Sequence, residues 1–285
     1  MQERHTTTDL DKMFQGISIP SCPAILTELI GTLRASDVNN RVITELIERD
    51  VGLAALVIKA ANSPLFGVNR TIDSISDAIA LLGLTTLNNL VHQGLLRSAL
   101  GKGDTSLDRF WDNSAHSAAV CAKLAERLNC AVPASTAYTF GLFHDCGIPL
   151  LVQHFPNYKT ILATANQSLD QRFTDIEDAA INTNHAAVGC LLARTWGLSE
   201  PISTAILCHH DYSILINAQG LSDESRTLVA LSAIADHIVG LYLRVKQDIE
   251  WLKSRDAVSI YFGLNLTDLD EIVDNMLDLL ETQKQ

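Results

Sequence analysis

The sequence predicts an all-α protein, on three observations. Apolar residues recur at i, i+3 and i+4 in one stretch after another, the spacing that gathers them on one face of a helix. No stretch shows the sustained apolar–polar alternation of a half-buried strand. Helix caps and stops punctuate the apolar runs.

Residues 1–16 are polar and read as a flexible lead, and Ile17–Pro23 (ISIPSCP) as an extended segment held by two prolines. Ile25, Leu26, Leu29 and Ile30 make one apolar face; Val42, Ile43, Leu46 and Ile47 make the next. Asp50 is placed to cap VGLAALVIKAANS, which Pro64 and Gly67 stop. Ser74, with Asp77 three residues on, reads as a capping box for ISDAIALL, and Gly83 ends it. Thr85 then opens a helix through Leu100. Gly101–Asp104 (GKGD) breaks the chain, which separates an N-terminal helical subdomain, residues 17–104, from residues 105–285.

Composition sets the bounds. With 285 residues, 47% of them hydrophobic and only 7 prolines, the chain can bury a sizeable core as one large or two modest domains. A net charge of −12 argues against an extended nucleic-acid surface, which needs clustered Lys and Arg, but leaves room for a local basic pocket. The six cysteines (22, 121, 130, 146, 190 and 208) lack CxxC spacing and read as buried reduced thiols. Together with a polar N-terminus lacking a signal-peptide core, they point to the cytoplasm. The most apolar long stretch, Ile75–Leu100, carries Asp77, Asn88, Asn89, His92 and Arg97, a load no membrane span tolerates.

The most informative stretch is Tyr138–Val152, YTFGLFHDCGIPLLV, where His144 and Asp145 interrupt an apolar helical run. A carboxylate there is costly unless paired or metal-bound. Taken alone, an HD dipeptide fits a helix cap or a hydrogen-bonded core pair. It is not alone, because His116, His185, His209, His210 and Asp236 also fall within apolar helical segments. Asp112 and His116 are spaced i, i+4, which suits two ligands, a ligand with its supporting partner, or an ordinary surface pair. Imidazole and carboxylate together suit divalent transition metals such as Fe, Mn, Zn or Ni.

The first third of the chain resembles a known family. IPSCPAILTELI, LIERDVGLAALVIKAANSPLFG and ISDAIALLGLTTLNNLV, in that order, are similar to the HDOD domain, a bacterial signalling module related to the HD phosphohydrolases. The resemblance spans roughly residues 15–210. It implies a multi-helix fold with an N-terminal helical bundle packed on an HD-like helical half. It also implies that His116, His144, Asp145 and Asp236 match the H…HD…D ligand series, with His185, His209 and His210 at the additional histidines of the binuclear branch and Asp112 at a further acidic position. One or two metal ions would then be held, bridged by Asp145, with His144 and Asp145 also at the catalytic centre.

Two departures stand against full catalytic competence. HDCGIPL carries Ile148 where active relatives commonly have a phosphate-contacting lysine, and HHDYSILINAQG replaces the Gly-Tyr-Pro loop of cyclic-dinucleotide phosphodiesterases. Lys159, Arg172 and Arg194 are left as sources of positive charge. Two readings follow: a metal-dependent phosphohydrolase acting on a phosphorylated small molecule or nucleotide, or a non-catalytic output module that binds a nucleotide or a signalling protein. The chain reads as free-standing. Its last segment, Leu266–Gln285, predicts an amphipathic helix capped by Thr267, which docks on its own bundle or forms an oligomer or partner interface.

Overall fold

The computed structural model describes residues 16–33, 39–62, 71–101, 107–218, 220–243 and 248–282. Residues 1–15 of the proposed lead (1–16), the stop at Pro64 and Gly67, and residues 102–104 of the GKGD break lie outside the described residues. Among the described residues there are helices and turns and no strand, as the apolar spacing requires. No helix among them is long and apolar enough to cross a membrane. The chain divides into two compact units, one with the helices between residues 20 and 106, the other with those from Leu107 onward.

The first unit contains α1 (Ala24–Leu33), α2 (Asn40–Glu48), α3 (Val51–Ala61) and α4 (Ile75–Gly101), with α4 packed on α2 and α3. Ile43, Leu46 and Ile47 of α2 are buried, whereas Val42 turns outward. Asp50 caps α3 by accepting the Leu53 N–H at 2.9 Å. Asn62 does more than end that helix. Its amide nitrogen donates to the carbonyls of Ile58 (2.9 Å) and Ile72 (2.7 Å), and its side-chain oxygen accepts the Ile72 N–H at 2.8 Å. Ser74 accepts the Asp77 N–H at 3.1 Å. Gly83, at φ 75° and ψ 161°, breaks the helical path, yet helix resumes at once, so the two expected helices form one kinked element.

The second unit contains α5 (Asp108–Arg127), α6 (Ala134–Phe143), α7 (Gly147–His154), α8 (Tyr158–Ala165), α9 (Phe173–Ile181), α10 (His185–Thr195), α11 (Glu200–Cys208), α12 (Ser213–Ile216), α13 (Asp223–Tyr242), α14 (Ile249–Phe262) and α15 (Leu266–Thr282). Helix α13 lies at its centre, packed on α5, α11, α14 and α15. Every residue from Leu228 to Ala235 is buried, as expected of a helix surrounded by others. Pro201 sits in the first turn of α11. Helix α15 is capped two residues before the expected Thr267, because Asn265 offers a side-chain oxygen to the Asp268 N–H at 2.9 Å. Its buried Leu269, Val273 and Met276 face the bundle, and it packs on α13.

One close approach sets the register of the site. A Cβ on Gly147 would lie 2.1 Å from the His185 carbonyl oxygen, and one on Gly189 only 3.4 Å from the Gly147 nitrogen. The start of α7 therefore meets the start of α10 backbone to backbone. Any side chain at 147 would force the His144–Asp145 turn away from His185.

Candidate metal centre

The sequence places His144 and Asp145 inside a helical run; the structure instead puts residues 144–146 in a turn between α6 and α7. His209 and His210 likewise occupy a turn at the end of α11. The difference matters. Neighbours on a helix diverge by about 100°, whereas a turn lets an adjacent pair face the same centre. His185 opens α10, fixed there by Asn184, whose side chain accepts the Ala187 N–H at 2.8 Å.

Three elements thus bring Asp145, His185, His209 and His210 together. Among the described residues, these four form the one group of three or more His, Cys, Asp or Glu side chains whose ligand atoms all lie within 4.8 Å of one another. His185 Nε2 is 3.2 Å from the Nε2 of His209 and 3.2 Å from that of His210. Asp145 Oδ1 is 3.3 Å from His185 Nε2 and 3.4 Å from His209 Nε2. The other Asp145 oxygen faces His144 Nε2 at 3.4 Å, and the same nitrogen is 3.4 Å from Asp236 Oδ2. Asp236 projects from mid-α13, and Ser117 donates to its other oxygen at 2.8 Å. The Asp145 carboxylate therefore lies between His144 on one oxygen and His185 and His209 on the other.

His116 and Asp112 are not in that four-residue group. The His116 Nδ1 bonds the Asp112 backbone carbonyl at 2.6 Å rather than its carboxylate, and the ring lies against Tyr242 with centroids 5.2 Å apart. The Asp112 side chain is exposed.

The tautomers follow from the partners. Nδ1 of His144 faces the Gly141 carbonyl at 2.9 Å, and Nδ1 of His209 faces the Ile206 carbonyl at 2.7 Å. A carbonyl only accepts, so each Nδ1 carries the proton. Nδ1 of His185 donates to Glu177 at 2.7 Å and Nδ1 of His210 to Glu250 at 2.9 Å. All four imidazoles are thereby anchored at Nδ1, with Nε2 aimed at the shared space. Lone pairs 3.2 Å apart cannot satisfy one another; they need protons or a cation between them.

The supporting carboxylates are themselves held. Fully buried Glu177 accepts from the Tyr158 hydroxyl, and Glu250 accepts from Tyr212 at 3.1 Å and pairs with Lys253. Phe173 closes one side, its ring stacked on His210 (centroids 4.6 Å, planes 8° apart) and edge-on to His185. None of Glu177, Glu250, Tyr158, Tyr212, Lys253 or Phe173 stood out in the sequence. The chemical rule that a ligating histidine gives its second N–H to a carboxylate says that such partners should exist, but no sequence spacing identifies them.

Electrostatics divides the histidines. Burial alone pushes all four down. For His185 the facing Glu177 and Asp145 outweigh burial and carry it up to about 10; Asp145 and Asp236 likewise raise His144. Burial wins at His209 and at His210, which drops to about 3 beside its charged neighbours. Asp145 resists burial and is held well below the carboxylate range by His144, His185 and His209. Burial would raise Glu250, but its bonds to His210 and Lys253 take it down to about 2. Asp145 is therefore ionised and His209 and His210 neutral at neutral pH, the forms in which they can act as ligands.

The donor set fits a divalent transition metal. Ligands about 2.0–2.1 Å from a common ion sit roughly 3–3.4 Å from each other in tetrahedral or octahedral arrangements, which is the spacing found among these nitrogens and oxygens.

Fold and site together define an all-helical protein with a partly buried histidine–carboxylate cluster of metal-ligand type. A family model for the HDOD domain matches residues 19–212, and the chain belongs to that family. An HDOD domain protein of unknown function from Geobacter sulfurreducens shares 25% identity at a TM-score of 0.72, over 97% of this chain and 95% of that one. A candidate phosphohydrolase from Shewanella amazonensis shares 25% identity at a TM-score of 0.70, over 95% of each chain. A Treponema pallidum protein is 26% identical over 218 residues, which are 76% of this chain but 41% of that protein, so the chain spans about two fifths of its length.

Proposed function

We propose that the chain is an HDOD regulatory protein that holds one or two divalent transition-metal ions and acts as a phosphohydrolase on a phosphorylated small molecule. The observation that carries this reading is the set of Nε2 atoms of His185, His209 and His210, placed 3.2–3.4 Å from one another or from Asp145 with their Nδ1 protons already committed. Asp145, His185, His209 and His210 would hold one ion; His144, Asp145 and Asp236, with His116, would hold another. When bound, the metal supplies Lewis acidity to a phosphoryl oxygen. Around it the chain's own groups have defined tasks. Glu177 and Glu250 fix the ring orientation of His185 and His210, Phe173 keeps water from the His210 face, and Ser117 orients Asp236. The resemblance to a candidate phosphohydrolase from Shewanella amazonensis supports the reaction class.

Ile148, in the position of the phosphate-contacting lysine of active relatives, favours a second reading: a metal-stabilised output module without turnover. Metal-loaded protein assayed on generic phosphomonoesters and phosphodiesters separates the two. Hydrolysis that is lost in Asp145→Asn supports the enzyme, whereas full metal content with no turnover on either substrate class supports the module.

A further inference from the structure

We infer that Arg172 receives the anionic oxygens of a phosphate-bearing ligand at this site; the inference rests on the metal reading above and extends it to the ligand. The acidic groups gathered here (Asp145, Asp236, Glu177 and Glu250) would repel a phosphate unless a cation beyond the metal met it. Ile148 offers no charge. Lys253 is committed, donating to Glu250 and to the Gln171 carbonyl at 2.9 Å. Arg194 is exposed nine residues beyond His185 on α10, about 13 Å along the helix axis. Lys159 is exposed on α8.

Arg172 differs in placement and in freedom. It immediately precedes Phe173, whose ring stacks on His210, and follows Gln171, whose carbonyl Lys253 holds. The backbone on both sides of it is thereby fixed beside the cluster. Its guanidinium meets Asp211, the residue after His210, through a single Nη2–Oδ2 contact of 3.3 Å, and the side chain is 43% exposed. One long, single-point contact leaves most of its N–H groups for a ligand, and a guanidinium fork matches two phosphate oxygens at once. Its partner Asp211 directly follows the turn that ends α11. The charge thus lies at the end of α11 that carries His209 and His210.

The test is inorganic phosphate titrated into Mn²⁺-loaded full-length protein, followed by calorimetry and by Mn²⁺ broadening of the ³¹P resonance, with metal content measured alongside. Arg172→Ala should weaken phosphate binding about tenfold or more, the scale of a lost charge-assisted contact, at unchanged metal content. Arg172→Lys should keep part of the affinity, and Arg194→Ala all of it. Equal phosphate affinity in Arg172→Ala and wild type overturns the inference, as does a loss of metal in Arg172→Ala that matches its loss of phosphate. Metal-loaded wild type that binds no phosphate overturns it too and leaves the metal reading standing. Wild type that takes up no Mn²⁺ overturns the metal reading itself, before phosphate is added.

Discussion

Glu177→Gln separates the charge behind His185 from its shape. Glu177 is fully buried and accepts from His185 Nδ1 at 2.7 Å and from the Tyr158 hydroxyl. Glutamine has the same outline. Its oxygen still accepts the His185 proton and its amide nitrogen turns to the Tyr158 oxygen, so the tautomer survives while the negative charge goes. The imidazole then becomes a poorer donor to a cation. Replacing such a supporting partner typically costs about 10–100-fold in metal affinity, or about 1.4–2.8 kcal/mol. The assay is competition with a chromogenic chelator for Zn²⁺ or Mn²⁺, with thermal melting as the fold control. Glu177→Ala should behave differently. It strands two donors in a dry interior at about 1–3 kcal/mol each, and so lowers the melting temperature of the metal-free protein as well. A Glu177→Gln protein that melts normally and binds metal as tightly as wild type would refute the idea that Glu177 acts through His185 on a cation.

Gly147→Ala should cost about 2 kcal/mol or more by overpacking, lowering Tm by roughly 4–8 °C and reducing metal content, because its Cβ would meet the His185 carbonyl at 2.1 Å; unchanged melting would contradict that contact. Asn62→Ala removes three hydrogen bonds that link Ile58 and Ile72 in the first unit, so circular dichroism should show easier unfolding while elemental analysis finds metal content unaltered. In metal-free protein, Glu177 and Asp145 raise His185 from 6.5 to about 10. The stabilisation from its charged form is complete below the unfolded value and is lost as pH rises through about 10. Melting temperature should therefore fall between pH 7 and pH 10. Metal uptake near pH 7.5 should release protons from His185 and His144, read as buffer-dependent calorimetric heats; heats independent of buffer would count against it.

The fold was legible because its signals are local. Asp50, Ser74, Pro201 and the helical spacing of buried residues each act within a turn or two of chain. The gathering of His185, His209, His210 and Asp145 was readable as a set of polar residues in apolar segments, each too costly to leave unpartnered. What could not be read was the geometry between helices. Glu250 lies 40 residues from His210 in IEWLK, a segment that looks like an ordinary amphipathic turn, and its role exists only because α14 packs on α13 and α12. Glu177, in FTDIEDAAI, looks like an exposed helix acid until α8 and α10 close over it. The turns at residues 144–146 and 209–210 were also hidden, since apolar runs on either side of each pair favour a continuous helix. Asn265 displaced Thr267 as a cap because both can serve and only the chain path decides.

The most direct test is metal content per chain, by elemental analysis of protein purified without chelator or nickel resin. The donor set predicts about one or two transition-metal ions per chain, with a marked fall and a lower melting temperature in Asp145→Ala, where the buried histidines lose their common partner. Protein that carries no transition metal and takes up none from added Mn²⁺, Fe²⁺ or Zn²⁺ would contradict the account at its centre.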